Sequence, residues 1–217
     1  NRVQILDFDG DGDLDIFPEG RYGGLAYFPN DGTGHFGPAI WLSPDTASYQ
    51  QSVAVADISG DGLPDILLED GARNIVLLTN QGIGQNFSAQ VFHSYTYDLN
   101  WDLTAGDMDG DGDMDVLRIG TEYQLLTWMQ NLGAGNFAPL DNFYPLVMPI
   151  VIASADLDGN GLNDYLLGDG ASQLAAWFPN LGNGQFGPKK NIGTGLFRIE
   201  EIVAADLDTD GDLDPEA

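Results

Sequence analysis

The stretch Asp7-Phe8-Asp9-Gly10-Asp11-Gly12-Asp13-Leu14-Asp15 decides how this chain is read, because it returns four more times at almost constant spacing. The later copies open at Asp57, Asp107, Asp156 and Asp206, so the first aspartates lie 50, 50, 49 and 50 residues apart. Self-similarity at a fixed period of that length marks an array of one unit rather than one irregular domain. The 217 residues are therefore expected to form a single repeat region, 1–217.

Working outward from the second copy gives the rest of the unit. Ser52-Val53-Ala54-Val55-Ala56 is a short apolar run that leads straight into the acidic loop and reads as a strand, A. Beyond the loop, Ile66-Leu67-Leu68 and Asn74-Ile75-Val76-Leu77-Leu78-Thr79 flank a turn at Glu69-Asp70-Gly71 and read as strands B and C. A second signature follows strand C: Asn30-Asp31-Gly32-Thr33-Gly34, Asn80-Gln81-Gly82-Ile83-Gly84, Asn131-Leu132-Gly133-Ala134-Gly135 and Asn180-Leu181-Gly182-Asn183-Gly184. Paired glycines after Asn predict a tight turn with positive φ. A phenylalanine then opens a fourth strand, D, as in Ala89-Gln90-Val91-Phe92.

No stretch carries a capped 3.6-residue apolar period, and 29 Gly and 11 Pro punctuate the chain too often for long helices. Four short antiparallel strands per period is the pattern of a propeller blade. The expected fold is all-β, a β-propeller of four-stranded antiparallel blades at 2–51, 52–101, 102–149 and 150–198, with a partial fifth at 199–217. Both ends of the segment supply strand A and its loop, so this count does not close a ring; the segment reads as part of a larger propeller.

A formal charge of −27 with only seven Lys and Arg excludes a nucleic-acid footprint and argues against electrostatic binding to an anionic membrane. Of the 34 acidic residues, 21 fall inside the five nonapeptides, so the charge belongs to sites and not to a tail. There is no cysteine, hence no disulfide, and no apolar run of membrane length. The chain begins at Asn1-Arg2-Val3 without Met, which leaves room for an export signal upstream.

Numbering each loop from its first Asp, positions 1, 3, 5 and 9 are Asp7, Asp9, Asp11 and Asp15 in loop 1, and Asp57, Ser59, Asp61 and Asp65 in loop 2. Loop 3 has Asp107, Asp109, Asp111 and Asp115; loop 4 has Asp156, Asp158, Asn160 and Asp164; loop 5 has Asp206, Asp208, Asp210 and Asp214. Every one of these side chains carries oxygen, and Gly12, Gly62, Gly112, Gly161 or Gly211 at position 6 permits a sharp bend. Hard anionic oxygens on alternate residues suit calcium, which takes six to eight oxygens in loose geometry, better than magnesium, which demands an octahedron. The backbone carbonyl at position 7 (Asp13, Leu63, Asp113, Leu162, Asp212) is a further candidate ligand. An EF-hand or dockerin-like loop requires a following helix, and the EF-hand a Glu at position 12, where this chain has Pro18, Leu68, Arg118 and Leu167. Simple solvated turns are the alternative, with most weight at loop 2, where Ser59 replaces a carboxylate, and at loop 5.

Loops such as Asp57-Ile58-Ser59-Gly60-Asp61-Gly62-Leu63-Pro64-Asp65, preceded by Val-Ala-Val-Ala and followed by Ile-Leu-Leu, resemble FG-GAP/VCBS repeats, the units of calcium-bearing propellers in integrin α-subunits and many secreted bacterial proteins. The resemblance implies a calcium ion in each A–B hairpin, an extracellular or cell-surface location, and a role in adhesion or in recognising glycan or protein. It departs from the integrin pattern in the number of blades.

Strand alternation puts the A–B loops and the Asn-x-Gly turns at one end of each blade and the B–C turns and D–A connections at the other. That second end collects Arg21, Tyr22, Trp41, Tyr49, Arg73, His93, Tyr95, Tyr97, Trp101, Glu122, Tyr123, Phe143 and Tyr144, a candidate binding surface for sugar or protein. Tyr27, Trp128 and Trp177, on C strands just before the Asn turn, read as core. No nucleophile elbow, Cys or His-Glu-x-x-His motif is present, and His35 and His93 fall in different repeats. The chain is expected to be non-catalytic; a purely structural spacer and a polysaccharide lyase-like propeller are the alternatives.

Overall fold

A computed structural model describes residues 3–18, 24–42, 52–70, 72–82, 87–95, 100–120, 125–138, 141–143, 148–196, 199–206 and 213–216. These residues form only β-structure, and each strand pairs antiparallel with its neighbour in sequence. The chain divides into two compact units, Asn1–Thr96 and Tyr97–Ala217.

The first unit holds two repeats. In one, β1 (Val3–Leu6) pairs with β2 (Asp15–Pro18) and β3 (Leu25–Tyr27) with β4 (Ile40–Leu42). Reciprocal backbone bonds between Ile16 and Phe28, at 3.2 and 2.9 Å, join the two pairs. The other is a continuous four-stranded sheet, β5 (Val53–Ala56), β6 (Asp65–Glu69), β7 (Asn74–Asn80) and β8 (Phe87–Ser94). The A–B–C–D reading of this repeat matches the strands, except that β8 runs beyond Ala89–Phe92 and a bulge at Ile75/Val76 shifts its register.

The second unit holds β9 (Asn100–Gly106), β10 (Asp115–Gly120), β11 (Leu126–Met129) and β12 (Asp141–Phe143) in one sheet, and β13 (Pro149–Ala155), β14 (Asp164–Asp169), β15 (Leu174–Phe178) and β16 (Lys190–Thr194) in the next. A two-stranded hairpin of β17 (Val203–Ala205) and β18 (Asp214–Glu216) follows.

Cores form where one sheet lies on the next. Phe8, Phe17, Leu25, Tyr27 and Leu42 of the first repeat pack on Val53, Ile66, Leu68, Val76 and Leu78 of the second. Met108, Leu117, Ile119, Leu126 and Trp128 pack likewise on Ile152, Tyr165, Leu167, Ala176 and Phe178. Side chains point alternately to the two faces of a strand, and both faces are buried along Asp65–Glu69 and Asp115–Gly120. The residue four places before each loop is buried in Val53, Leu103, Ile152 and Ile202, yet Val3 is 57% and Ile5 66% exposed. The outward face of β1 is thus an uncovered apolar surface of the kind that the later A strands bury.

Candidate metal centres

Loops 1 to 4 are each built around their first aspartate. In loop 1, Asp7 Oδ1 accepts the N–H groups of Gly10 (2.8 Å) and Asp11 (3.1 Å), and Oδ2 accepts that of Gly12 (2.9 Å). Asp57, Asp107 and Asp156 grip their own loops in the same way, each accepting from the glycine at position 6. That glycine has φ between +87° and +96° in loops 1 to 4, the left-handed region that the sharp bend requires. Position 5 closes a smaller turn: Asp11, Asp61, Asp111 and Asn160 each accept the N–H of position 7 through Oδ1, at 2.8–2.9 Å.

Position 9 opens strand B and is fully buried in loops 1 to 4. Asp15 Oδ2 accepts Phe8 N–H at 2.9 Å and its Oδ1 accepts Asn30 N–H at 2.8 Å. Asp65 repeats this with Ile58 and Asn80, Asp115 with Met108 and Asn131, and Asp164 with Leu157 and Asn180. The asparagine replies: its Nδ2 donates to the carbonyl of position 8 (Leu14, Pro64, Met114 or Asn163), and its Oδ1 accepts a glycine N–H in its own turn. These asparagines, read from sequence only as turn formers, therefore lock the C–D turn to the acidic loop. The signal was present, since Asn stands at this step in all four repeats.

The structure brings positions 1, 3 and 9 together. One carboxylate oxygen from each of Asp7, Asp9 and Asp15 lies within 4.8 Å of the other two, and the same holds for Asp107, Asp109 and Asp115 and for Asp156, Asp158 and Asp164. Burial pushes Asp9 above the usual carboxylate range, and repulsion from Asp15 and Asp11 adds to it against the pull of Asp11 N–H and the Tyr27 hydroxyl. Burial likewise raises Asp65 and Asp164, and carries Asp115 up to about 7 although Asn131 and Met108 N–H groups hold it down. Asp109 is raised by burial while Gln130 donates to it.

Crowded carboxylates that hold their protons too tightly form a donor set short of a positive charge. A hard divalent cation supplies that charge, and all the donors are oxygen. In loop 2 a hydroxyl, Ser59 Oγ, stands at position 3 in place of a carboxylate, and the Ser59 N–H donates to Asp65 Oδ2 at 2.7 Å. The residues present fit a metal of this type in loops 1, 3 and 4. Of loop 5, Asp206 is described and Asp214 is placed in β18; Asp208, Asp210 and Asp212 lie outside the described residues.

Of the aromatic surface expected at the opposite ends, Trp41, Arg73, His93 and Tyr95 are described, and Trp101 and Phe143 are placed only by their strands. Arg21, Tyr22, Tyr49, Tyr97, Glu122, Tyr123 and Tyr144 lie outside the described residues. Tyr95 N–H donates to Arg73 O at 3.0 Å, and the His93 and Tyr95 rings meet edge to face at 4.3 Å, so these three residues come together. Trp41 is 64% exposed and lies over Gly24, where a Cβ would stand 3.3 Å from its ring. Tyr27 and Trp128 are core; Trp177 is half-buried, with Lys190 Nζ 4.1 Å above its ring.

The family described as FG-GAP-like repeat matches residues 7–68 and 156–214. No curated protein matches the chain in sequence. Among solved structures, an Agrocybe aegerita lectin described as specifically recognising non-reducing terminal N-acetylglucosamine superposes with a TM-score of 0.65 at 21% identity, covering 99% of this chain and 59% of its own. The BP39L lectin of Burkholderia pseudomallei gives 0.62 at 17% identity, covering 88% of this chain and 55% of its own. A Photorhabdus luminescens Tc holotoxin pore gives 0.60 at 21% identity, with 98% of this chain matched to 10% of that one. The chain thus spans little more than half the length of the two lectins whose fold it shares.

Proposed function

The chain belongs to the FG-GAP-like repeat family, and from that premise we propose that it is a calcium-stabilised, non-catalytic recognition module of β-propeller type that binds glycan outside the cell. The observation that carries the calcium reading is the threefold recurrence of converging carboxylates at positions 1, 3 and 9. Asp7, Asp9 and Asp15, and their counterparts in loops 3 and 4, would hold the ion, which supplies positive charge to buried carboxylates and reacts with nothing. Position 5 and the carbonyl of position 7 complete the oxygen set that calcium prefers. Loops of moderate affinity suit millimolar calcium, which favours secretion or surface display.

Each four-stranded repeat is a blade in this reading. Glycan is favoured as the ligand by likeness of fold to two lectins and by Trp41, whose exposed ring lies against Gly24. An aromatic plane held in this way offers sugar C–H groups an apolar face at little entropic cost. The test is a glycan array probed with the protein in millimolar calcium and again in EGTA. Binding of a defined sugar class that EGTA abolishes is expected; no glycan bound in either condition contradicts the reading.

A further inference from the structure

Loop 3 is not held by its own repeat alone. Asn180 Nδ2, which donates to Asn163 O within its own repeat at 2.9 Å, also donates to Met108 O, the carbonyl of position 2 in loop 3, at 2.8 Å. Asn163 N–H, from position 8 of loop 4, donates to Asp107 O, the carbonyl of position 1, at 3.3 Å. Leu162, from position 7 of loop 4, fills the space above Gly110 at position 4, where a Cβ would stand 2.7 Å from its Cδ2. Its other methyl lies 3.5 Å from the same point on Gly182, in the Asn turn of its own repeat. Three separate contacts therefore fix the backbone of loop 3 from the loop and turn of the following repeat.

The first unit repeats the wedge. Leu63 Cδ2 and Cδ1 lie 3.7 and 3.8 Å from the Cβ positions of Gly10 in loop 1 and Gly82 in its own turn. Position 7 alternates along the sequence as Asp13, Leu63, Asp113, Leu162 and Asp212. In loops 1 and 3, where it is aspartate, the side chain turns onto its own Asn turn: a Cβ on Gly32 would meet the Asp13 carboxylate, and one on Gly133 the Asp113 carboxylate. Loops 2 and 4 reach back to the preceding loop; loops 1 and 3 receive.

We propose that Leu162 and Asn180 are positioning residues for the calcium site of loop 3, so that loops 3 and 4 fill as a coupled pair; this rests on the calcium reading above. Asp107 and Asp109 hang from the segment whose carbonyls Asn163 and Asn180 anchor. An ion in loop 4 fixes positions 7 and 8 of that loop, and through them the backbone on which the loop 3 ligands stand. Ligand sets held within about 0.5 Å bind best, so ordering one loop raises the affinity of the other, and the effect is reciprocal.

The experiment follows the amide resonances of Gly112 and Gly161 in the full 217-residue chain during a calcium titration. Each N–H donates to the first carboxylate of its loop, at 3.0 and 2.9 Å, and so reports that loop alone. Asp158→Ala removes a ligand from loop 4, and Leu162→Ala removes the wedge but leaves its carbonyl. Both are expected to move the Gly112 midpoint to about fivefold or more higher calcium, within the usual range of coupling between sites. Leu162→Met, which keeps the volume, is expected to restore it to within about twofold. Asp158 is exposed, so its replacement leaves the core intact and tests the coupling even if Leu162→Ala does not fold. A Gly112 midpoint within about twofold of wild type in Asp158→Ala overturns the coupling while leaving calcium binding in place. If neither glycine responds to calcium in the wild-type chain, the calcium reading fails and the coupling with it.

Discussion

Asp115 is fully buried and its carboxylate spans two elements, accepting from Met108 in its own loop and from Asn131 in the turn beyond strand C. Burial pushes it up to about 7, and raises Asp9, Asp65, Asp109 and Asp164 in the same direction. A carboxyl whose folded pKa is raised holds a proton that the unfolded chain has released, so its contribution favours the fold below about 3.8 and is lost as pH rises toward 7. Asp169 opposes this only at the acid end: three N–H donors outweigh its burial and lower it, so its contribution disappears below the ordinary range. Calcium-free protein is therefore expected to melt on the order of 5 °C lower at pH 7 than at pH 5. In calcium, which binds the ionised carboxylates, the order should reverse. Thermal melts in EGTA and in calcium across that range check it; a calcium-free melting temperature that rises with pH contradicts the assignment.

Asn131 is the other residue whose role exceeds its reading. Its Nδ2 donates to Met114 O at 3.1 Å and its Oδ1 accepts Gly133 N–H at 3.1 Å, in a buried setting. Asn131→Ala is expected to cost about 2–3 kcal/mol, because two partners are left unpaired. Urea denaturation measures this, and a cost under about 0.5 kcal/mol would show that solvent replaces those bonds.

At the scale of the hairpin and turn, two glycines separate backbone strain from collision. Gly112 has φ +93° and nothing within 4 Å of a Cβ, so Gly112→Ala should cost only the left-handed penalty of about 1–2 kcal/mol. Gly184 has φ +68°, and there a Cβ runs into the Trp128 ring of the preceding repeat. Gly184→Ala should cost at least about twice as much, since a buried indole must move. Equal losses in denaturant midpoint would contradict this packing.

The same elements show what sequence could reveal. Loop positions, strand order and the bends at Gly12, Gly62, Gly112 and Gly161 were legible because they depend on residues within one nonapeptide or one alternating run. The bond from Asn30 to Asp15, 15 residues away, and from Asn131 to Asp115, 16 away, was not, because it exists only once strands B and C have paired. Leu162 over Gly110 was further out of reach, since that contact is made by packing one sheet on the next. Position 7 reads from sequence as a carbonyl donor, and the packing adds that the alternation of Asp and Leu there sorts loops 1 to 4 into two kinds.

At the scale of the whole chain, 34 acidic residues meet seven basic ones, and the excess is concentrated at loop positions 1, 3, 5, 7 and 9. Without cations that charge opposes compaction; five divalent ions would add ten positive charges to a formal −27. Each site held at about 100 times its dissociation constant adds roughly 2.7 kcal/mol, so calcium is expected to be a large part of the folding free energy. The direct measurement is the melting temperature in millimolar calcium and in EGTA, with magnesium as the comparison ion. The expected result is a rise of at least about 10 °C with calcium over EGTA and a much smaller rise with magnesium. Melting temperatures that coincide in all three conditions would contradict calcium as the partner of these loops.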